Sequence, residues 1–227
     1  MKTLTATLVA YSMFIPLAFA QTTLPDQPSA PRQDNQDAGR YAADNLDHQI
    51  AACLLLGNQE EIALAQFGEQ HATNPQVKGL AKMLVDQHTK AVAMIKKAAP
   101  DVANLQLVTS DAGQAPAASA AGDDRGIAML QRIKGECLSL TQKELEQHQG
   151  AEFDKAFVGQ QLGAHLGMLA QLRGSKSFAS AELQKVIAEG EKMTTMHMAE
   201  AKKIMSQIKD DTNKTADASQ RSSAPKR

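Results

Sequence analysis

Asn74-Pro75 divides a long run of helix-forming residues into two arms that have to fold back on each other. Proline is tolerated in the first turn of a helix but not in its interior, so one helix ends here and the next begins. In the first arm, capped by Asp44 or Asn45, the apolar positions are Ile50, Cys53, Leu54, Gly57, Leu64, Phe67 and Gly68. Glu61 falls on that stripe, four after Gly57 and three before Leu64. Glu60 is about 100° round the helix and is expected to be solvated. The second arm reads Val77, Leu80, Ala81, Leu84, His88, Ala91, Val92, Ile95 and Ala99, and Pro100 closes it. His88 takes the place of an apolar residue there, while Asp86 points to the opposite side. Glu61 is thirteen residues before Asn74 and His88 thirteen after Pro75, so the two lie level along the hairpin.

A second hairpin repeats the design. Its first helix, residues 152–173, carries Phe153, Phe157, Leu162, His165, Met168, Leu169 and Leu172 on a broad apolar side. After a turn and a cap at Ser180, its second helix carries Leu183, Ile187, Gly190, Thr194, His197, Ala201, Ile204 and Ile208. Two antiparallel hairpins make an antiparallel four-helix bundle, in which inward side chains of facing helices build metal sites. Ala, Leu, Gln, Lys and Glu dominate and strand-type runs are nearly absent, which agrees with an all-α chain.

The candidate metal ligands are thus Glu61, His88, His165 and His197, one from each helix. His197 presents a difficulty, since helix lengths counted from the turn leave it about 13 Å out of level with His165. Glu191 is the substitute at the right level. The plainer reading is a buried polar network that fixes helix pairing. Ferritin-type di-iron centres use Glu-x-x-His pairs, and Val85, Leu162 and Thr194 stand where those glutamates belong. A single iron, manganese or zinc ion fits such a set, and copper is the weaker choice: Met168, Met193, Met196 and Met198 adjoin the histidines, but methionine usually fills gaps in cores.

The remaining segments set the address and the trimmings. Residues 1–20 follow the secretory pattern, with Lys2, an apolar run from Leu4 to Leu17, and small residues at Ala18 and Ala20. Export to a periplasm follows, with no transmembrane anchor expected in the mature chain and no cysteine after the cleavage site to carry lipid. There Cys53 and Cys137 are either a disulfide or two packed thiols. A formal net charge of −1 gives no general attraction to nucleic acid. Residues 21–43 read as a disordered lead-in, 101–125 as a flexible Ala/Gly-rich insertion, and 210–227 as a disordered tail, leaving 44–209 as the bundle.

Residues 127–147 form an accessory amphipathic helix. Gly159, Gly163 and Gly167, at four-residue spacing, cost roughly 0.5 to 1 kcal/mol each relative to alanine. Such a stripe implies close approach, either by the accessory helix or by a second copy in a homodimer.

The segments "EIALAQFGEQHATNPQVKGLAKMLVDQHTKA", "AEFDKAFVGQQLGAHLGML" and "MTTMHMAEAKKIM" together resemble a bacterial family of exported ferritin-like bundles. Its members carry a domain of unknown function and are commonly described as outer membrane proteins. The resemblance covers roughly residues 40–208 and implies a ferritin-like bundle, a periplasmic address with an outer-membrane association, and Glu, His, His and His at the positions of Glu61, His88, His165 and His197. It departs at Glu191-Lys192, where the family has Leu-Pro, and in the longer Ala-rich connection. The resemblance implies a fold and a compartment and no biochemical role; the Glu and His constellation points to binding of a metal in the core, and the alternative is a metal-free structural or stress-related envelope protein acting through protein contacts.

Overall fold

The computed structural model describes residues 33–108 and 122–222. The expectations for the leader, for 21–32, for 109–121 and for 223–227 lie outside these residues. Five helices follow in order: α1 (Gln33–His71), α2 (Pro75–Ala98), α3 (Gly122–Leu145), α4 (Ala151–Ser175) and α5 (Ala181–Ser222). Single 3-10 turns, Pro100–Val102 and Lys176–Phe178, follow α2 and α4, and there is no strand among the described residues. The expected all-α bundle is what forms.

The hinge lies where proline chemistry puts it. Pro75 opens α2, and the Asn74 side-chain oxygen accepts from the Gln76 N–H at 2.8 Å, satisfying one of the donors that a helix start leaves bare. α1 packs along α2 and α4 along α5, and α2 meets α5 to join the hairpins. Asp154, buried in the first turn of α4, fixes where the second hairpin sits. Its carboxylate accepts from the Thr73 N–H at 2.9 Å, the Thr73 hydroxyl at 2.6 Å and the Asn74 N–H at 2.9 Å. α4 therefore starts at the hinge and runs away from it beside α5.

Two apolar clusters fill the bundle. The one nearer the hinge includes Leu64, Leu80, Leu84, Phe153, Phe157 and Ile204; the far one includes Ile50, Leu55, Ile95, Leu172, Leu183 and Ile187. Each buried side chain of this kind contributes about 1.5 to 3 kcal/mol. Gly68 makes room for the hinge cluster, since a Cβ there would lie 2.2 Å from the Phe157 ring. Between the clusters lies a buried polar layer containing Asn58, Glu61, His88, Gln161, His165, Thr194 and His197.

The structure differs from the sequence reading in several places. α1 begins at Gln33 instead of near Asp44, and α5 continues to Ser222, past the expected start of the tail at 210. Once a helix is nucleated, each added residue gains a hydrogen bond, so polar helix formers extend it without any apolar stripe. The accessory helix, α3, lies chiefly along α1 and touches α4 only lightly. At Gly159 the neighbour is α5 and not α3: a Cβ there would meet Met205 at 3.9 Å. An ion pair explains the choice, because Lys134 of α3 donates to Glu60 at 2.7 Å. Glu60 is therefore covered by α3 and is not solvated. Cys53 and Cys137 are free thiols. No helix among the described residues is long and apolar enough to cross a membrane.

Candidate metal centre

α2, α4 and α5 each bring one histidine into the polar layer. His88, His165 and His197 are fully buried, and one ring nitrogen from each lies within 4.8 Å of the other two. His165 Nε2 is 3.4 Å from His88 Nε2 and 2.9 Å from His197 Nδ1. Two imidazole nitrogens held tetrahedrally at zinc-type bond lengths stand about 3.3 Å apart; the His88–His165 spacing is close to that, whereas the 2.9 Å between His165 and His197 is a hydrogen-bond distance.

The outer nitrogen of each ring is held by an oxygen. His165 Nδ1 lies 2.8 Å from the backbone carbonyl of Gln161, His88 Nδ1 is 2.8 Å from Asn58 Oδ1, and His197 Nε2 is 2.9 Å from Gln87 Oε1. An oxygen acceptor on the outside places the ring proton outside and turns the lone pair inward, as in metal-binding histidines generally. Burial also keeps the rings neutral. It pushes His165 down to about 4 and, with repulsion from a charged His165, His197 down to about 3. Burial followed by repulsion from the other two rings holds His88 well below its ordinary value. The result is three unprotonated donors aimed at one point.

His197 reaches this level because of the connection between α4 and α5. Ten residues of α4 and the three-residue 3-10 turn carry the chain about 21 Å beyond His165, and sixteen residues of α5 bring it back about 24 Å. The 3-10 turn removes about 6 Å of the expected offset, and the run of α4 on to Ser175 and the start of α5 at Ala181 remove a further ~4.5 Å. Glu191 is not needed in the centre and is not there: it pairs with Lys176 at 2.9 Å and Arg173 at 3.5 Å on the outside.

Glu61 is buried but stands outside the convergent set. It lies one turn nearer the hinge than Asn58, as Gln161 does relative to His165. Burial, then the charge of Glu60, push its carboxyl up to about 8, while Lys134 and the neighbouring Gln161 side chain draw it back. Glu61 Oε2, both side-chain polar atoms of Gln161, and Thr194 Oγ1 have no well-formed hydrogen bond within the protein. Buried polar atoms are rarely left so; Gln161 and Thr194 stand one turn from His165 and His197 along their helices, and Glu61 stands one turn from Asn58 on α1.

Asn58, Gln87 and Gln161 were not legible as site residues from the sequence. Asn58 and Gln161 did carry one signal, a polar residue one turn from a stripe residue on a buried side.

A family model described as a domain of unknown function (DUF4142) matches residues 30–204. No curated protein and no solved structure matches the chain.

Proposed function

Since the chain belongs to the DUF4142 family, a domain of unknown function, we propose that it holds one transition-metal ion between His88, His165 and His197 in the core of an exported, ferritin-like bundle. The observation that carries this reading is the convergence of three neutral ring nitrogens whose opposite nitrogens are each fixed by an oxygen. Nitrogen donors of this kind suit zinc, iron or manganese. Glu61, buried one turn away and otherwise uncharged, supplies a counter-charge when a cation arrives. The cavity one turn from the layer is about 30 Å³, room for water or an ion, which agrees with a binding role. The address is the periplasm, with association at the outer membrane, on the strength of the leader pattern in residues 1–20 and the family resemblance.

Elemental analysis of protein purified without chelator or affinity metal tests the proposal. About one ion per chain is expected, lost in His88→Ala and His165→Ala variants whose helix content by circular dichroism is unchanged. Metal content equal in the variants and the parent sinks it.

A metal-free envelope protein is the second reading, and two observations favour it. His165 and His197, 2.9 Å apart, can share a hydrogen bond. Met129, Ile133 and Leu140 of α3 are exposed, offering a surface to another protein. The same elemental analysis separates the two, since this reading requires a chain purified without metal.

A further inference from the structure

One helical turn from the histidine layer lies a cavity whose walls are rich in sulfur. Its lining includes Cys53, Asn58, Ala91, Met94, Met168 and Met193. The relation to the three rings is regular: Ala91 is three residues after His88, Met168 three after His165, and Met193 four before His197. α2 and α4 run away from the hinge and α5 runs back, so all three steps lead one turn in the same direction, away from the hinge. The cavity is therefore the floor of the layer. Asn58 joins the two, lining the cavity while it holds His88 at 2.8 Å. Met94 is 37% exposed, so the cavity has a mouth on the surface.

We propose that this cavity is a cuprous-ion site and passage, in which the thioethers of Met168 and Met193 complete the coordination begun by His88, His165 and His197. The inference rests on the histidine reading and assigns it copper in place of zinc, iron or manganese. Thioether sulfur is a soft donor that favours cuprous copper over hard or borderline dications, and it binds without losing a proton. The size of the cavity agrees, since about 30 Å³ admits an ion or a water and little else. Cys53 is not among the ligands: Gln171 donates to its sulfur at 3.0 Å, and burial pushes the thiol up, keeping it protonated. An ion held there would have the imidazoles on one side and, one helical turn further from the hinge, the thioethers on the other. Copper, the weaker choice on sequence grounds, becomes the favoured ion once the methionines are seen to share one cavity under the rings.

The test compares the purified full chain with a Met168→Leu/Met193→Leu variant, because leucine keeps the volume and apolarity of methionine and removes only the sulfur. Cuprous ion is titrated anaerobically against a chromogenic cuprous chelator, and zinc in parallel. The double variant is expected to bind cuprous ion roughly 10- to 100-fold more weakly, the loss typical when a supporting partner is removed, with zinc affinity unchanged. X-ray absorption of the copper-loaded parent should show a sulfur shell that the variant lacks. Equal cuprous affinity in the two proteins, or a copper spectrum with nitrogen scatterers alone, overturns the proposal while leaving a histidine-bound metal standing. A parent chain that binds neither ion overturns both.

Discussion

The backbone carbonyl of Gln161 lies 2.8 Å from Nδ1 of His165, one turn along the same helix. A carbonyl only accepts, so the ring proton sits on Nδ1 and the lone pair of Nε2 faces His88 and His197. The acceptor itself cannot turn away, because the carbonyl belongs to the backbone. The tautomer of the central ring is thus fixed by helix geometry, and the other two rings are held by side chains of neighbouring helices. Asn58 of α1 orients a ring on α2, and Gln87 of α2 orients a ring on α5.

Those side-chain orienters are open to mutation without touching a ligand. Asn58→Ala leaves all three imidazoles in place but frees His88 to turn. Metal affinity is expected to fall about 10- to 100-fold, measured by competition with a chelator of known affinity. An unchanged affinity would show that Asn58 does not position the ring.

Protonation of the rings gives the metal-free protein a definite pH dependence. A histidine whose folded pKa is lowered binds fewer protons when folded than when unfolded, so its contribution is intact above the unfolded value and is lost as pH falls. For His165 the window runs from about 6.5 down to about 4. Across it the ring alone removes on the order of 3 kcal/mol of stability. Urea melts of chelator-treated protein should show a midpoint falling steadily between those pH values. His165→Gln, which cannot titrate, should flatten the slope.

Glu61 acts in the opposite sense. Its carboxyl, pushed up to about 8 from 4.5, binds more protons folded than unfolded, so its contribution is complete at acid pH and declines as pH rises through that window. Replacing it with the isosteric, uncharged glutamine removes the cost of keeping an acid protonated. Glu61→Gln is expected to stabilise the metal-free protein by about 3 kcal/mol at pH 7 and by almost nothing at pH 4, read from denaturation at the two pH values. With metal bound the same change should weaken binding, because the counter-charge is gone. Stabilisation that does not vary with pH would indicate better packing instead of the loss of a titrating group.

Much of this arrangement is visible in the sequence, because helical periodicity reports which residues face inward. Pro75 marks the hinge, and the apolar stripes place His88, His165 and His197 on interior faces. Periodicity does not report height between helices, and there the reading of His197 went astray. A three-residue 3-10 turn, Lys176–Phe178, supplies about 6 Å of the missing length, and nothing in its composition announces it. Glu60 shows the same limit from another direction. Its position on the wheel is correct, but whether that face meets water depends on where α3 docks, which Lys134 decides through a contact 74 positions away. Orienting amides such as Gln87 are likewise defined only by what stands opposite them.

Asp154 is the residue on which the register of the two hairpins depends most directly. It is buried and carries a charge, yet both of its oxygens are taken up by the hinge, with two backbone N–H groups and a hydroxyl donating at 2.6 to 2.9 Å. Hydrogen bonds to a buried charge contribute about 1.5 to 3 kcal/mol each, and they are lost together here. Asp154→Ala leaves the Thr73 and Asn74 donors without their partner and is expected to cost about 3 to 5 kcal/mol, seen as a lower midpoint in chemical denaturation. Asp154→Asn keeps one acceptor and should fall between the two. Because α4 carries His165 eleven residues further on, any slip of its start along the hinge also moves that ring out of the layer. The alanine variant should therefore lose metal as well as stability, whereas a purely local cap would lower the midpoint and leave the metal content of the folded fraction unchanged.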